Sequence, residues 1–188
     1  MIMTIEELRA QCENCRKCAL AETRTKVVIG RGDPHADLMF VGEAPGQTED
    51  ETGIPFVGAA GQLFDRYLIA AGIDREEVYV CNILKCRPPH NRDPLPEEQD
   101  ACIGYLRSQV RIVDPKIIVC LGRISAMRMI DPAFRITRDH GKFYQKGKFL
   151  MCAHYHPSAL LHDPSKKEEA LADMLALAEK YRALRGGE

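Results

Sequence analysis

Short, unbroken apolar runs alternate along this chain with longer segments of helical period, and that alternation constrains its fold more than any other feature. The runs are Leu38-Met39-Phe40-Val41, Val78-Tyr79-Val80-Cys81-Asn82-Ile83, Ile117-Ile118-Val119-Cys120-Leu121 and Phe149-Leu150-Met151-Cys152-Ala153. A strand that is apolar on both sides must be covered on both faces, which is the condition of a mainly parallel sheet between helical layers. Between the runs, Gly61 to Ala71 places Leu63, Phe64, Tyr67, Leu68 and Ala71 on one helical face, closed by Gly72. Pro96 opens a helix to about Val113, in which Ile103, Leu106, Val110 and Val113 keep helical spacing. A short helix is expected from Gly122 to Ile130, and another, capped by Asp163, to about Leu184. Thr4-Ile5-Glu6-Glu7 is a capping-box pattern and predicts a short helix before the first cysteines. Phe143-Tyr144 and Lys148 to Ala153 form either a hairpin across Gln145-Lys146-Gly147 or a join of the second segment to the main sheet. The expected fold is α/β, a three-layer α/β/α sandwich with a short, mainly parallel central sheet.

At 188 residues, one domain spanning 1–188 with a substantial core is the economical expectation. The apolar runs are too short to cross a bilayer, so no membrane association is expected. Met1-Ile2-Met3-Thr4-Ile5 shows no basic region followed by an apolar core, and a cytoplasmic, monomeric protein is the default reading. A net charge of −1 neither implies nor excludes a nucleic-acid partner, because a basic footprint is local. Lys85, Arg87 and Arg92 do gather in one proline-rich loop.

Eight cysteines without an export signal favour metal or cluster ligation over a disulfide framework. Cys12, Cys15 and Cys18 form C-x-x-C-x-x-C, while Cys86 and Cys102 flank the Arg-Pro-Pro loop. Cys81, Cys120 and Cys152 lie inside the apolar runs and read as small core residues.

In open α/β sheets ligands bind beyond the carboxyl ends of the strands. Each segment rich in chemistry follows such an end here: Gly42 to Asp50, Asn82 to Arg92, and His156 to Leu161. Gly42-Glu43-Ala44-Pro45-Gly46 bends tightly, and three carboxylates crowd the nine residues from Gly42 to Asp50, a cost unless some face a ligand, water or a cation. A carboxylate loop and a His-Pro loop make a candidate active-site pair, with His154 as the competing histidine.

Taken together, Gly42-Glu43-Ala44-Pro45-Gly46, Gly53-Ile54-Pro55-Phe56-Val57-Gly58, Asn82-Ile83-Leu84-Lys85-Cys86-Arg87-Pro88-Pro89 and His156-Pro157-Ser158 resemble the iron–sulfur uracil-DNA glycosylases of family 4. The likeness runs from about Cys15 to Leu161. It implies hydrolysis of the N-glycosidic bond of deoxyuridine in single- or double-stranded DNA, releasing uracil and leaving an abasic site. Glu43 would orient water or stabilise the sugar cation, and a neutral His156 would donate a hydrogen bond to the departing uracil. Asn82 would read the uracil edge, since one amide offers both a donor to O4 and an acceptor for N3–H. Phe56 would stack on the base, with Gly42 beside it and Glu49 crowding the position of a thymine methyl. Because the target base must leave the duplex, Leu160 would act as an exposed apolar wedge. Arg87, Arg92, Lys85 and Ser158 would contact phosphates. Cys15, Cys18, Cys86 and Cys102 would hold a structural 4Fe–4S cluster, with Cys12 an alternative to Cys15 and zinc an alternative metal. His90 invites comparison with relatives that capture uracil-DNA through a loop histidine, although their motif differs and their loop is longer.

Overall fold

The computed structural model describes residues 3–187. In chain order its elements are α1 (Ile5–Glu13), α2 (Leu20–Thr23), β1 (Arg31–Gly32), β2 (Leu38–Gly42), α3 (Gln47–Thr52), α4 (Ala59–Ala70), β3 (Tyr79–Asn82), α5 (Pro96–Val113), β4 (Ile117–Leu121), α6 (Arg123–Met129), α7 (Ile136–Asp139), β5 (Tyr144–Lys146), β6 (Phe149–His154), α8 (Pro157–His162) and α9 (Lys167–Gly186). The strands form one sheet in the order β1-β3-β2-β4-β6-β5. The four inner strands are parallel, and the edge strands β1 and β5 run antiparallel to their neighbours.

Alternation along each strand divides the core into two layers. Leu38 and Phe40 of β2 pack with Phe64 and Leu68 of α4 and with Met174 and Leu177 of α9. Met39 and Val41 face the other way, with Leu106 and Val113 of α5 and Ala126 of α6. Cys120 and Cys152 are buried on opposite faces and Cys81 sits with Cys120, all three as core residues. This is the three-layer arrangement that the apolar runs require. Both expectations for the hairpin hold at once, since β6 pairs with β5 on one side and with β4 on the other.

Parallel pairing aligns the carboxyl ends. Gly42 lies opposite Asn82 in the β2–β3 register, and Leu121 lies opposite His154 in the β4–β6 register. The loops carrying Glu43, Asn82, Gly122 and His156 therefore open on one edge of the sheet.

Two helices stand where only loops were expected. Glu49 folds back so that its Oε1 accepts the Gly46 N–H at 3.2 Å, which starts α3. His156 precedes α8, and its Nδ1 accepts the Ser158 N–H at 3.1 Å while Pro157 occupies the first turn. That second helix corrects the reading of Leu160 as an exposed wedge. Leu160 is 1% exposed and packs with Tyr155 and Ala170, whereas its neighbour Leu161 is 45% exposed. One turn of helix rotates Leu160 inward, a periodicity hidden in so short a segment.

Candidate active site

Glu43 and His156 meet. Both line one cavity of about 300 Å³, together with Glu49, Phe56, Asn82 and Arg92. Gly122 lies between them at φ +96°, and a methyl placed on it would sit 2.6 Å from Glu43 Oε1 and 3.0 Å from His156 Cβ. The pair thus occupies the space that any side chain at position 122 would claim. Both residues also line a second cavity of about 300 Å³, with Gly122, Arg123 and Tyr155.

The protonation of each group follows from its surroundings. Burial pushes the Glu43 carboxyl above the ordinary carboxylate value. The nearby Asp93 adds to that rise, while the Ile124 N–H, 3.4 Å from Oε1, and the Arg123 guanidinium oppose it. Arg123 and Asp93 pair with each other at 2.7 Å. Burial depresses His156 to about 4, so the imidazole is neutral at pH 7. Its Nδ1 accepts the Ser158 N–H, with the Ser158 hydroxyl 2.7 Å away. The proton therefore resides on Nε2, and that edge is a hydrogen-bond donor. His154, the competing histidine, is buried in β6 with its pKa depressed to about 3, and it does not line the cavity.

Asn82 ends β3 and is 2% exposed, yet its Oδ1 has no hydrogen-bond partner. An orphaned buried acceptor costs about 1–3 kcal/mol unless a ligand satisfies it. Gly42 allows that acceptor to approach the base platform: a methyl there would collide with Asn82 Oδ1 and lie 2.7 Å from Phe56 Cζ. Phe56 itself adopts φ +54°, a conformation rare for a non-glycine residue. Its ring centroid is 6.0 Å from the His156 ring and 5.5 Å from Phe64. Glu49 holds this strained turn in place. Its Oε2 accepts the N–H groups of Val57 at 3.1 Å and Gly58 at 2.7 Å, while its Oε1 takes that of Gly46. Glu49, expected to crowd the position of a thymine methyl, lines the cavity with its carboxylate engaged by these three backbone amides.

The cations of the Arg-Pro-Pro loop are less free than their exposure in sequence suggests. Lys85 is 1% exposed, and its Nζ donates to the Asn82 carbonyl at 2.6 Å, so it contacts no phosphate. Its side chain also lines the void between the cysteines. Arg92 spends two N–H groups on the buried Glu98 carboxylate, at 3.0 and 2.5 Å. Arg87 Nε donates to Asn91 Oδ1 at 2.7 Å, and Ser158 is exposed at the rim. His90 is exposed and lies outside the cavity lining.

Asp50, the third carboxylate of the loop, is buried and accepts the Thr25 N–H at 2.8 Å. Gly122 and Asp50 were not singled out in sequence. A glycine directly after the third apolar run was the available signal for the first, and the crowding of three carboxylates between Gly42 and Asp50 was that for the second.

Cys12, Cys15, Cys18, Cys86 and Cys102 surround a separate, smaller void next to Lys85 and Arg24. Arg24 ties the segment together, donating to the Cys15 carbonyl at 2.7 Å and to Cys86 Sγ at 3.6 Å. Burial raises the Cys86 thiol to about 11 and Cys12 to about 12, against the lowering influence of Arg24 and Lys85 respectively. Among the described residues, no three His, Cys, Asp or Glu side chains converge on the position of a single metal ion.

Comparison with known proteins agrees with this geometry. Residues 29–177 match the family described as the uracil DNA glycosylase superfamily. A type-4 uracil-DNA glycosylase of Archaeoglobus fulgidus is 44% identical over 184 residues, covering 94% of this chain and 92% of the relative. Type-4 uracil-DNA glycosylases of Sulfurisphaera tokodaii and Pyrobaculum aerophilum are 40% and 41% identical, covering 94% and 92% of this chain and 84% and 92% of the relatives. With three of the four parallel strands bringing a carboxylate, an amide and an imidazole to one cavity, and with this likeness along nearly the whole sequence, the chain belongs to the uracil-DNA glycosylase superfamily and, within it, to the type-4 group.

Proposed function

We propose that this protein hydrolyses the N-glycosidic bond of deoxyuridine in DNA, releasing uracil and leaving an abasic site. The observation that carries the reading is that Glu43, a His156 whose Nδ1 is already taken by the Ser158 N–H, and an unsatisfied Asn82 acceptor all line one cavity. The base enters the first cavity and lies against Phe56, where stacking contributes roughly 1–3 kcal/mol. Asn82 Oδ1 accepts uracil N3–H, and its amide donates to O4. Cytosine offers no N3–H and places an amino donor at position 4, so the same amide rejects it. The deoxyribose lies toward the second cavity, which places the scissile bond beside Glu43.

As the bond breaks, its electron pair leaves with uracil, and His156 Nε2–H stabilises the charge on the uracil oxygen without transferring the proton. The Glu43 carboxylate stabilises the cationic sugar and orients water, whose oxygen bonds to the sugar carbon while its proton passes to Glu43. A desolvated carboxylate is more effective here than one in bulk water, because little solvent screens it from the developing cation. Arg87, Ser158 and the remaining N–H groups of Arg92 hold backbone phosphates at the rim. Leu161, not Leu160, is the apolar side chain available to fill the stack vacated by an extruded base.

Cys15, Cys18, Cys86 and Cys102 would hold a 4Fe–4S cluster. Four thiolates carry more negative charge than the cluster core neutralises, and Lys85 and Arg24 supply the compensating cations. The void between the thiols is about 20 Å³, so the side chains must spread to admit the cluster. When bound it would supply a cross-link between the N-terminal segment and the loop after β3, with no electron required by the hydrolysis.

Incubation with end-labelled single-stranded DNA containing one deoxyuridine tests the reading. Free uracil and alkali-labile abasic sites are expected, without strand cleavage by the protein itself. Tight binding with no uracil release would leave a non-catalytic DNA-binding module instead.

A further inference from the structure

A groove of about 790 Å³ opens between α5 and the β5–β6 hairpin, built from residues none of which lines the active-site cavities. Its floor is apolar. Half-buried Ile103, Val110, Met129 and Phe149 lie over the buried Leu106 and Met151. The cause is topological: α5 and α6 cover the middle of this sheet face, while β5 lies at the outer edge. The rim is cationic, formed by Arg107, Arg111, Arg128, Lys146 and Lys148, with Asp114 the one acidic residue in the lining. Arg128 pairs with Asp100, and Lys148 with Asp114. Arg107, Arg111 and Lys146 are exposed and carry no ion pair among the described residues.

We propose that this groove docks an acidic, amphipathic peptide segment of a partner protein. Apolar side chains of the segment fill the floor, and its carboxylates engage Arg107, Arg111 and Lys146. Charge complementarity selects this occupant. Three uncommitted cations around an apolar trough disfavour a basic or neutral segment, and nucleic acid would leave the apolar floor unsatisfied. Such a surface, remote from the chemistry, recruits the enzyme without occupying its cavity.

The probe is a fluorescein-labelled helical peptide with Leu and Phe at i, i+3, i+4 and i+7 and Asp and Glu elsewhere, titrated into the cluster-containing full-length protein and read by anisotropy. Saturable micromolar binding is expected, at least tenfold weaker for the double variant Arg107→Glu with Arg111→Glu and tenfold weaker for Met129→Asp. A peptide with Lys at every acidic position should not bind, and uracil release from a short oligonucleotide should be unchanged in the Arg107→Glu, Arg111→Glu variant. Equal affinity for wild type and variants overturns the proposal. So does displacement of the peptide by undamaged single-stranded DNA together with weaker DNA binding by the variants, which assigns the face to DNA. A dimer in sedimentation that the same substitutions dissociate assigns it to a second copy of this chain.

Discussion

His156 shows how burial and one neighbour fix the hydrogen-bonding character of a side chain. Burial lowers its pKa to about 4, and the Ser158 N–H occupies Nδ1, so the donor points from Nε2. Glu43 moves the opposite way, above its ordinary value. Both groups shift because burial disfavours charge, and the signs differ because one acid is cationic and the other neutral. The acid limb of the pH profile of kcat/KM therefore reports Glu43 gaining a proton. It should fall at higher pH than for an ordinary carboxylate, and no limb from imidazolium should appear between pH 5 and 8. Glu43→Gln should remove that limb and lower kcat by about 10²–10⁴-fold, the usual contribution of a positioned carboxylate. Leu160 and Leu161 are adjacent apolar residues in sequence, and only the helix decides which faces water. Leu161→Ala is expected to reduce uracil release from duplex DNA several-fold more than from single strands, as measured on matched oligonucleotides. Chemical identities at the site were legible in the sequence, whereas orientations set by one helical turn were not.

At the scale of elements, long periodic segments declared themselves. The helix expected from Pro96 to Val113 is α5, and each apolar run contains a strand. Shorter pieces did not, because α3 and α8 span six residues each and depend on side chains folding back onto their first turns. The burial of Lys85 was also unreadable, since a lysine beside Arg-Pro-Pro looks like part of a basic loop until the packing beneath β3 is known. The turn after β4 exists so that β2 and α8 can approach. Gly122→Ala must place a methyl against both Glu43 and His156 at a backbone angle that disfavours it. Its kcat should fall at least 100-fold, with a melting temperature reduced by only a few degrees. Loss of folding without any folded, inactive population would contradict that reading.

Across the whole molecule, one mainly parallel sheet connects the cavity and the cysteine void. Lys85 is the physical link, lining the cysteine void while its ammonium holds the Asn82 carbonyl. The cysteine pattern was visible in sequence, and the structure adds Cys12 to the same void, fully buried beside the other four. The cluster proposal predicts four irons per chain in anaerobic preparations. Colour and iron should be lost in Cys86→Ser or Cys102→Ser and retained in Cys120→Ser, whose target lies in the core between β2 and β6. Retention of full iron in Cys15→Ser but not Cys12→Ser would exchange those two ligands.

The shared slot is most directly tested by a crystal structure with free uracil. One uracil is expected against the Phe56 ring, its N3–H and O4 on the Asn82 amide, its O2 within hydrogen-bond distance of His156 Nε2, and Glu43 facing the glycosidic nitrogen. Uracil bound elsewhere, or an imidazole turned away from it, would contradict the account.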